Sequence, residues 1–382
     1  MNNFNLDKYL EELTYICSID SGKTNTDGKL KLIKYFEDKF KVLNLKTAIE
    51  YYQDDKASPV LMVSNSNFEN IDILFIGHVD TVFEDGLAKE HPFTVDEKNI
   101  GTALGCIDCK GGCLSIYHLI KMLIENRKDN FNFCVIFNSD EETGSDNSKF
   151  YFEEMAKRSK YCFVFEPARR NDEFVSQRKG SESYIVKCHG IPAHAGVEPE
   201  KGASAVLELA KWVVELYKLV DYEKGTTLNI SHFSGGMKEG SVPEFAQFNL
   251  NYRYLDDKAS DNLQEVLNKM KTTPFDDRTT IEIIDKGKRP AMILHRNSEL
   301  LFEKLKEVGK EVNYQIKHVT TGGGSDGNFV SCHNVATIDG CGPTGGDMHT
   351  IKEFIVIDSI EKRLNVMYHL IMNMYAQNNK DI

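Results

Sequence analysis

The sequence predicts an α/β protein: a mostly parallel sheet with helices on both faces, plus an inserted α+β unit of ferredoxin-like layout. Three observations predict it. Apolar runs at 73–76, 131–137 and 161–165 are nearly unbroken, as in strands buried on both faces. Segments with helical periodicity separate those runs, so the strands follow one another through crossovers. From Gly180 the order becomes strand, helix, strand, strand, helix, strand, which is the split βαβ arrangement.

Residues 1–15 place Leu6, Leu10 and Leu13 at helical spacing among Asp7, Glu11 and Glu12. That reads as an amphipathic helix, not a secretory signal. A polar turn at 18–28 leads to a second helix with Leu30, Ile33, Phe36 and Phe40 on its apolar side. Strands are expected at 46–52, 60–64 and 73–76. Residues 111–125 form a strong helix, with Cys113, Ile116, Tyr117, Ile120 and Ile124 on one stripe. Strands at 131–137 and 161–165 follow, with a helix at 153–160 between them. The inserted unit, roughly 180–288, reads as strand 183–189, helix 202–219, strands 227–233 and 245–254, helix 261–271 and strand 280–284. Residues 287–290 then make a hinge-like return. A helix at 298–309, a strand at 335–338 and a helix at 357–375 resume the first style, so 1–179 and 289–382 make one discontinuous domain.

The 382 residues suffice for two domains with sizeable cores. A net charge of −12, from 58 acidic against 46 basic residues, argues against nucleic acid or an anionic membrane as partner. No run approaches the roughly 18 apolar residues of a membrane span. Nine cysteines, an odd number scattered through strands and loops, read as reduced thiols in a cytoplasm.

Chemistry collects at the ends of the expected strands. The run at 73–76 ends in Gly77, His78, Val79 and Asp80. His78 and Asp80 point to one side in extended chain, and a carboxylate that takes the ring N–H is how a metal-ligating histidine is oriented. Asp108 lies in the loop G-C-I-D-C-K-G-G, whose glycine pair opens the next helix and permits close backbone packing. Cys106, Cys109 and Cys113 in that stretch invite a thiolate zinc reading, but they lack a second Cys or His pair at finger distance. Glu141 and Glu142 follow the strand at 131–137 in N-S-D-E-E-T-G, where buried acidic residues repel unless positive charge sits among them. Glu166 caps the strand at 161–165, and His349 follows a glycine-rich loop after the strand at 335–338. Two imidazoles and three carboxylates (His78, Asp108, Glu142, Glu166 and His349) are too many for one catalytic zinc, which takes three protein ligands. They suit two divalent ions about 3.5–4 Å apart that share one carboxylate. The N/O donor set favours zinc, with cobalt or manganese able to substitute.

With the motifs H-V-D-T-V, D-C-K-G-G, D-E-E-T-G-S and H-T-I-K-E in hand, the chain resembles the dizinc glutamate carboxypeptidase family over nearly its whole length. That family's relatives include acetylornithine deacetylase, succinyl-diaminopimelate desuccinylase and aminoacylases. The resemblance implies two Zn2+ per subunit, with His78, Glu142, Glu166 and His349 as terminal ligands and Asp108 as the bridge. It further implies that Asp80 orients His78 and that Glu141 is the general base. His194, in G-I-P-A-H-A-G, matches the histidine of a lid and dimerisation domain, and Arg253 matches the arginine that grips the substrate carboxylate. Residues 321–326, T-G-G-G-S-D, resemble the substrate loop, with Gly323 and Gly324 as substrate-binding positions. The implied substrate is a small peptide or acyl-amino acid, and the implied assembly a homodimer through the inserted domain. One departure stands out: where the family usually has an asparagine three residues before Pro243, this chain has Gly240.

Two rival classes fit the sequence less well. Ser21, Gly22, Lys23 and Thr24 end like a phosphate loop, but the motif's first glycine would fall on Cys17. A metal-free binding protein would keep the fold and lose ligands or base, and here all are present. Within the enzyme class, carboxypeptidase and N-acyl-amino-acid deacylase share one centre. The glycine loop and Arg253 favour the carboxypeptidase.

Overall fold

Four strands with the densest apolar sequence, Val60–Ser64, Ile71–His78, Phe133–Asn138 and Ser159–Val164, form the middle of a six-stranded sheet. The computed structural model describes residues 4–126, 131–236 and 238–378, so residues 1–3 of the expected first helix lie outside the described residues. Across the sheet the order is Lys46–Glu50, Val60–Ser64, Phe133–Asn138, Ile71–His78, Ser159–Val164, Ala336–Ile338. The first two pairings are antiparallel and the last three parallel, giving a mixed, mostly parallel sheet.

Alternate side chains of the central strands go to opposite faces. Ile73, Phe75, Val135, Phe137 and Phe163 join the core under the helices Leu6–Cys17, Thr26–Val42, Lys110–Glu125 and Ile357–Asn378. Leu74, Ile76, Ile136 and Val164 pack on the other face with Phe152, Phe329 and Val330. Truncating a fully buried phenylalanine such as Phe75 to alanine would cost roughly 3–5 kcal/mol. Register is what matters for function: His78 pairs with Asn138, and Ile76 with both Ile136 and Val164. Three parallel strands therefore end level, and the residues just past them start from one line.

A smaller sheet, not expected from the sequence, is built from Gly345–Gly346, Phe354–Val356, Ile100–Thr102 and Thr94–Val95. Its first two strands pair antiparallel, so residues 347–353 form the connection that carries His349. Strands of two or three residues give no periodic signal to read.

The compact units run 4–177, 294–321 and 325–378 for the first, and 178–293 with 322–324 for the second. The second has a four-stranded antiparallel sheet in the order Thr227–Gly235, Phe245–Tyr254, Gly180–His189, Thr280–Arg289. Its helices are Ala205–Tyr217 and Asp257–Thr272, and the spatial strand order is that of a ferredoxin-like unit. Val186, Phe248, Leu250, Leu209, Trp212 and Leu263 form its core.

Two expectations need correction. The helix expected at 153–160 runs Lys149–Ala156, and strand begins at Ser159, because Tyr161–Phe163 must pair with Ile73–Phe75. The hinge-like return expected at 287–290 is instead mostly the end of the strand Thr280–Arg289. Gly287, at φ +120°, sits in a bulge between Asp285 and Lys288 that keeps the pairing with Gly180–His189.

Candidate metal centre

All five expected ligands lie in the first unit and converge. His78 closes the strand Ile71–His78, and Glu166 lies two residues past Ser159–Val164. Glu141 and Glu142 open the 3-10 turn Glu141–Thr143 just past Phe133–Asn138, and Gly144 ends that turn in the left-handed region at φ +101°. Asp108 sits two residues before the helix Lys110–Glu125. That helix can approach because Gly112 has no side chain: a Cβ there would fall 2.0 Å from the Phe165 carbonyl oxygen.

Asp108 is the centre of the arrangement. Its Oδ1 lies 3.2 Å from His78 Nε2, and its Oδ2 lies 3.3 Å from His349 Nε2. Glu166 Oε1 is 3.5 Å from His78 Nε2, and Glu142 Oε2 is 3.3 Å from His349 Nε2. Each oxygen of one aspartate thus heads its own imidazole–carboxylate pair. Asp80 ties the two halves together: its Oδ1 lies 3.4 Å from His78 Nδ1, while its Oδ2 accepts the Glu142 N–H at 3.0 Å. The site is closed on the His78 side, where that side chain is 1% exposed, and open at His349, which is 56% exposed. His349 has φ +64°, in the left-handed region that non-glycine residues adopt uncommonly.

Charge explains what these groups need. Burial works against a proton on His78, yet hydrogen bonds to Asp108 and Asp80 outweigh it and hold its pKa well above the ordinary value. Asp108 and Glu142 beside His349 raise its pKa to about 10. Burial works the other way on Asp108, but both histidines lower it. Glu142 is raised by burial despite His349. Carboxylates here outnumber the imidazoles, so the cluster favours positive charge among them. His78 Nδ1 lies 3.1 Å from the Asp80 backbone carbonyl oxygen and 3.4 Å from its Oδ1, so Asp80 faces that nitrogen with both groups, as an acceptor that orients a ligating imidazole would. Donor type and arrangement therefore fit a pair of divalent cations sharing Asp108.

The sequence profile of peptidase family M20/M25/M40 matches residues 74–373, most of the chain and every ligand. The chain belongs to this family. Among relatives, it is 30% identical over 312 residues to carboxypeptidase G2 from Pseudomonas sp. (strain RS-16), covering 80% of this chain and 74% of that one. It is 23% identical over 393 residues to succinyl-diaminopimelate desuccinylase from Rickettsia rickettsii (strain Sheila Smith), covering 96% and 100%. Among solved structures, aminopeptidase PepT from Bacillus cereus ATCC 10987 superposes with a TM-score of 0.75 at 20% identity, covering 96% and 98%. That likeness carries the fold. The chain is accordingly a metal-dependent hydrolase of the M20 type, a family acting on peptides or acyl-amino acids.

The remaining residues of this M20 chain divide between the units. His194, Arg253, Gly323 and Gly324 belong to the second. There Arg253 Nη1 donates to the Gly322 carbonyl at 2.7 Å, and Arg178 Nη1 donates to those of Gly323 and Gly324 at 3.2 Å each. His194 is exposed, and its Nδ1 accepts the Gly196 N–H at 3.1 Å, which leaves the other ring nitrogen to carry the proton. Opposite that turn, the Gly240 carbonyl accepts from Ala195 N at 2.9 Å.

In the first unit, the end of the expected substrate loop is structural. Ser325 and Asp326 are buried, and Asp326 accepts from Asn138 Nδ2 at 2.8 Å and from the Ser145 hydroxyl. It thereby braces the acidic turn from behind. The cysteines act as donors to carbonyls: Cys109 Sγ to Phe165 and Cys113 Sγ to His78, each at 3.1 Å. Burial raises the Cys109 thiol pKa well above its usual value, although its sulfur lies within ligand reach of His78 and Glu166. Sequence reasoning read Asn138 only as the start of the acidic motif and Asp326 only as the end of the substrate loop, and gave neither a bracing role.

Proposed function

We propose that the chain is a co-catalytic dimetal peptidase that hydrolyses the amide bond of a short peptide or acyl-amino acid. The product is a C-terminal amino acid with a free carboxylate, as for a glutamate carboxypeptidase. The observation that carries this reading is Asp108, with one oxygen on His78 and the other on His349. In this reading His78 and Glu166 would hold one cation and His349 and Glu142 the other, with Asp108 available to both. Two zinc ions suit these donors, and Co2+ or Mn2+ would substitute. The cation pair supplies Lewis acidity and lowers the pKa of water from 15.7 to about 7.

The chain's own residues do the rest. Asp80 fixes the ring of His78 through Nδ1, so that Nε2 faces the pair. Glu141, adjacent to a ligand, accepts the proton of the attacking water and returns it to the leaving amine. His194 donates to the developing oxyanion through the nitrogen that Gly196 leaves free. The Arg253 guanidinium grips the substrate carboxylate, and Gly323 and Gly324 let the substrate backbone lie close. The 30% identity to carboxypeptidase G2, against 23% to the desuccinylase, favours the peptidase over an N-acyl-amino-acid deacylase.

A homodimer through the inserted domain is supported by the strand Thr227–Gly235, which lies at a sheet edge, and by exposed Leu207, Val214 and Tyr217 on the helix Ala205–Tyr217. Nine free thiols support a cytoplasmic setting, and no helix among the described residues is long and apolar enough to cross a membrane. The test is metal analysis beside an amino-acid release assay on dipeptides, folyl-type conjugates and N-acyl amino acids. Two metals per chain and release from peptides or folyl conjugates are expected. Absence of metal would overturn the dimetal reading, and turnover of N-acyl amino acids alone would shift it to the deacylase.

A further inference from the structure

We infer that Glu353 is the positioning residue that holds the Asp108 loop in its ligating shape before any metal arrives, an inference that rests on the dimetal reading above. Glu353 is 1% exposed. Its Oε1 accepts from Ile107 N at 2.9 Å and Asp108 N at 3.1 Å, and its Oε2 accepts from Gly105 N at 3.0 Å. Three amides of one turn therefore end on a single carboxylate 245 residues away from Asp108. The backbone of Glu353 is tied as well: its N–H donates to Thr350 O at 3.1 Å, closing the connection that carries His349. Its carbonyl faces the Cys106 thiol at 3.9 Å. One residue thus fastens the loop of the shared ligand to the loop of a terminal ligand.

The consequence for Asp108 is orientational. Its two oxygens serve different histidines only while the Asp108 backbone is held at one angle. A carboxyl group suits this place because both of its oxygens accept; a side-chain amide offers one oxygen and would turn an N–H toward a donor. Both oxygens of Glu353 are spent on backbone, and Glu353 is in neither ligand group found among the described residues.

The test uses the full chain, stripped by chelation and titrated with Co2+ by calorimetry and visible absorption. Wild type is expected to take two equivalents. Glu353→Gln is expected to weaken binding roughly 10- to 100-fold. Its Co2+ d–d spectrum should change, and kcat should fall with KM held. Glu12→Gln, which removes another buried carboxylate of the same unit, controls for stability alone: lower Tm with unaltered Co2+ binding is expected. If Glu353→Gln binds two Co2+ with wild-type affinity and spectrum, the inference is overturned, whatever its Tm. Should that variant not fold, amide exchange of the metal-free wild type decides. Slow exchange at Gly105, Ile107 and Asp108, as in the loaded protein, is expected; fast exchange there refutes a preformed loop. A wild type that takes no Co2+ would fail the dimetal reading instead, and the exchange result would still decide Glu353.

Discussion

Asp80 is the group to remove first, because it touches both halves of the centre. The residue is 1% exposed, its Oδ1 lies 3.4 Å from His78 Nδ1, and its Oδ2 accepts the Glu142 N–H. Asp80→Ala removes the carboxylate beside the His78 ring, which keeps only its contact with the backbone carbonyl of residue 80, and leaves the partly buried Glu142 N–H without its acceptor. Loss of an outer partner of this kind weakens metal binding roughly 10- to 100-fold. At a metal concentration 100 times the wild-type Kd, binding stabilises the wild type by about 2.7 kcal/mol. At the same concentration the variant would gain only about 1.4 kcal/mol for a tenfold loss, or about 0.4 kcal/mol for a hundredfold loss. With roughly 2–4 °C per kcal/mol for a unit of this size, the metal-induced rise in Tm should shrink by about 3–9 °C. Differential scanning fluorimetry with and without Zn2+ measures that difference directly. It separates metal coupling from simple destabilisation, which lowers both curves together. A variant whose metal-induced rise equals that of wild type would refute the orienting role of Asp80, even if both melts came earlier.

The other expectations concern separate steps. Glu141→Ala should keep two metals while turnover drops about 10²- to 10⁴-fold, the share of a general base; near-normal rates at full metal content would remove that role. His194→Ala should impair turnover without releasing metal, and metal loss on substitution would count against an oxyanion donor. Arg253→Ala should raise KM for substrates with a free carboxylate and matter little for amidated ones, so equal effects on both would exclude the clamp. Away from the site, burial works against a charge on Glu12, but His118 Nε2 at 2.8 Å and Lys39 Nζ at 2.6 Å lower its pKa from 4.5 to about 2. A depressed carboxylate stabilises the fold fully above its unfolded value and loses that contribution as pH falls from about 4.5 toward 2. His118, lowered by burial, must also charge in acid and adds to the loss. Glu12→Gln should flatten the acid limb of a urea-unfolding series, and an unchanged limb would show that the network carries no such linkage.

What could be read from the sequence, and what could not, follows from how each kind of residue is placed. His78, Glu142 and Glu166 were legible because parallel strands that end level must deliver the next residues to one crevice. A polar residue after an apolar run therefore stands out without knowledge of its partners. Asp108 and His349 were weaker signals, resting on glycine-rich loops, and motif resemblance did more for them than periodicity. The strands Gly345–Gly346 and Phe354–Val356 escaped notice because two or three residues cannot show a period, although they present His349. Glu353 lay in view inside H-T-I-K-E without a role, since its work is done on amides of residues 105–108, and backbone acceptors leave no trace in side-chain spacing. The same holds for Asp326, read as part of a substrate loop by motif yet spent on Asn138 and Ser145. Sequence pattern finds the groups that face the cations because they cluster at strand ends. It misses groups such as Asp326 and Glu353, whose partners lie 181 to 248 residues away and are chemically anonymous. A dimetal centre in this fold is thus more fragile than its ligand list implies. Substitutions at Asp80, Asp326 or Glu353 should degrade metal binding while leaving all five proposed ligands intact.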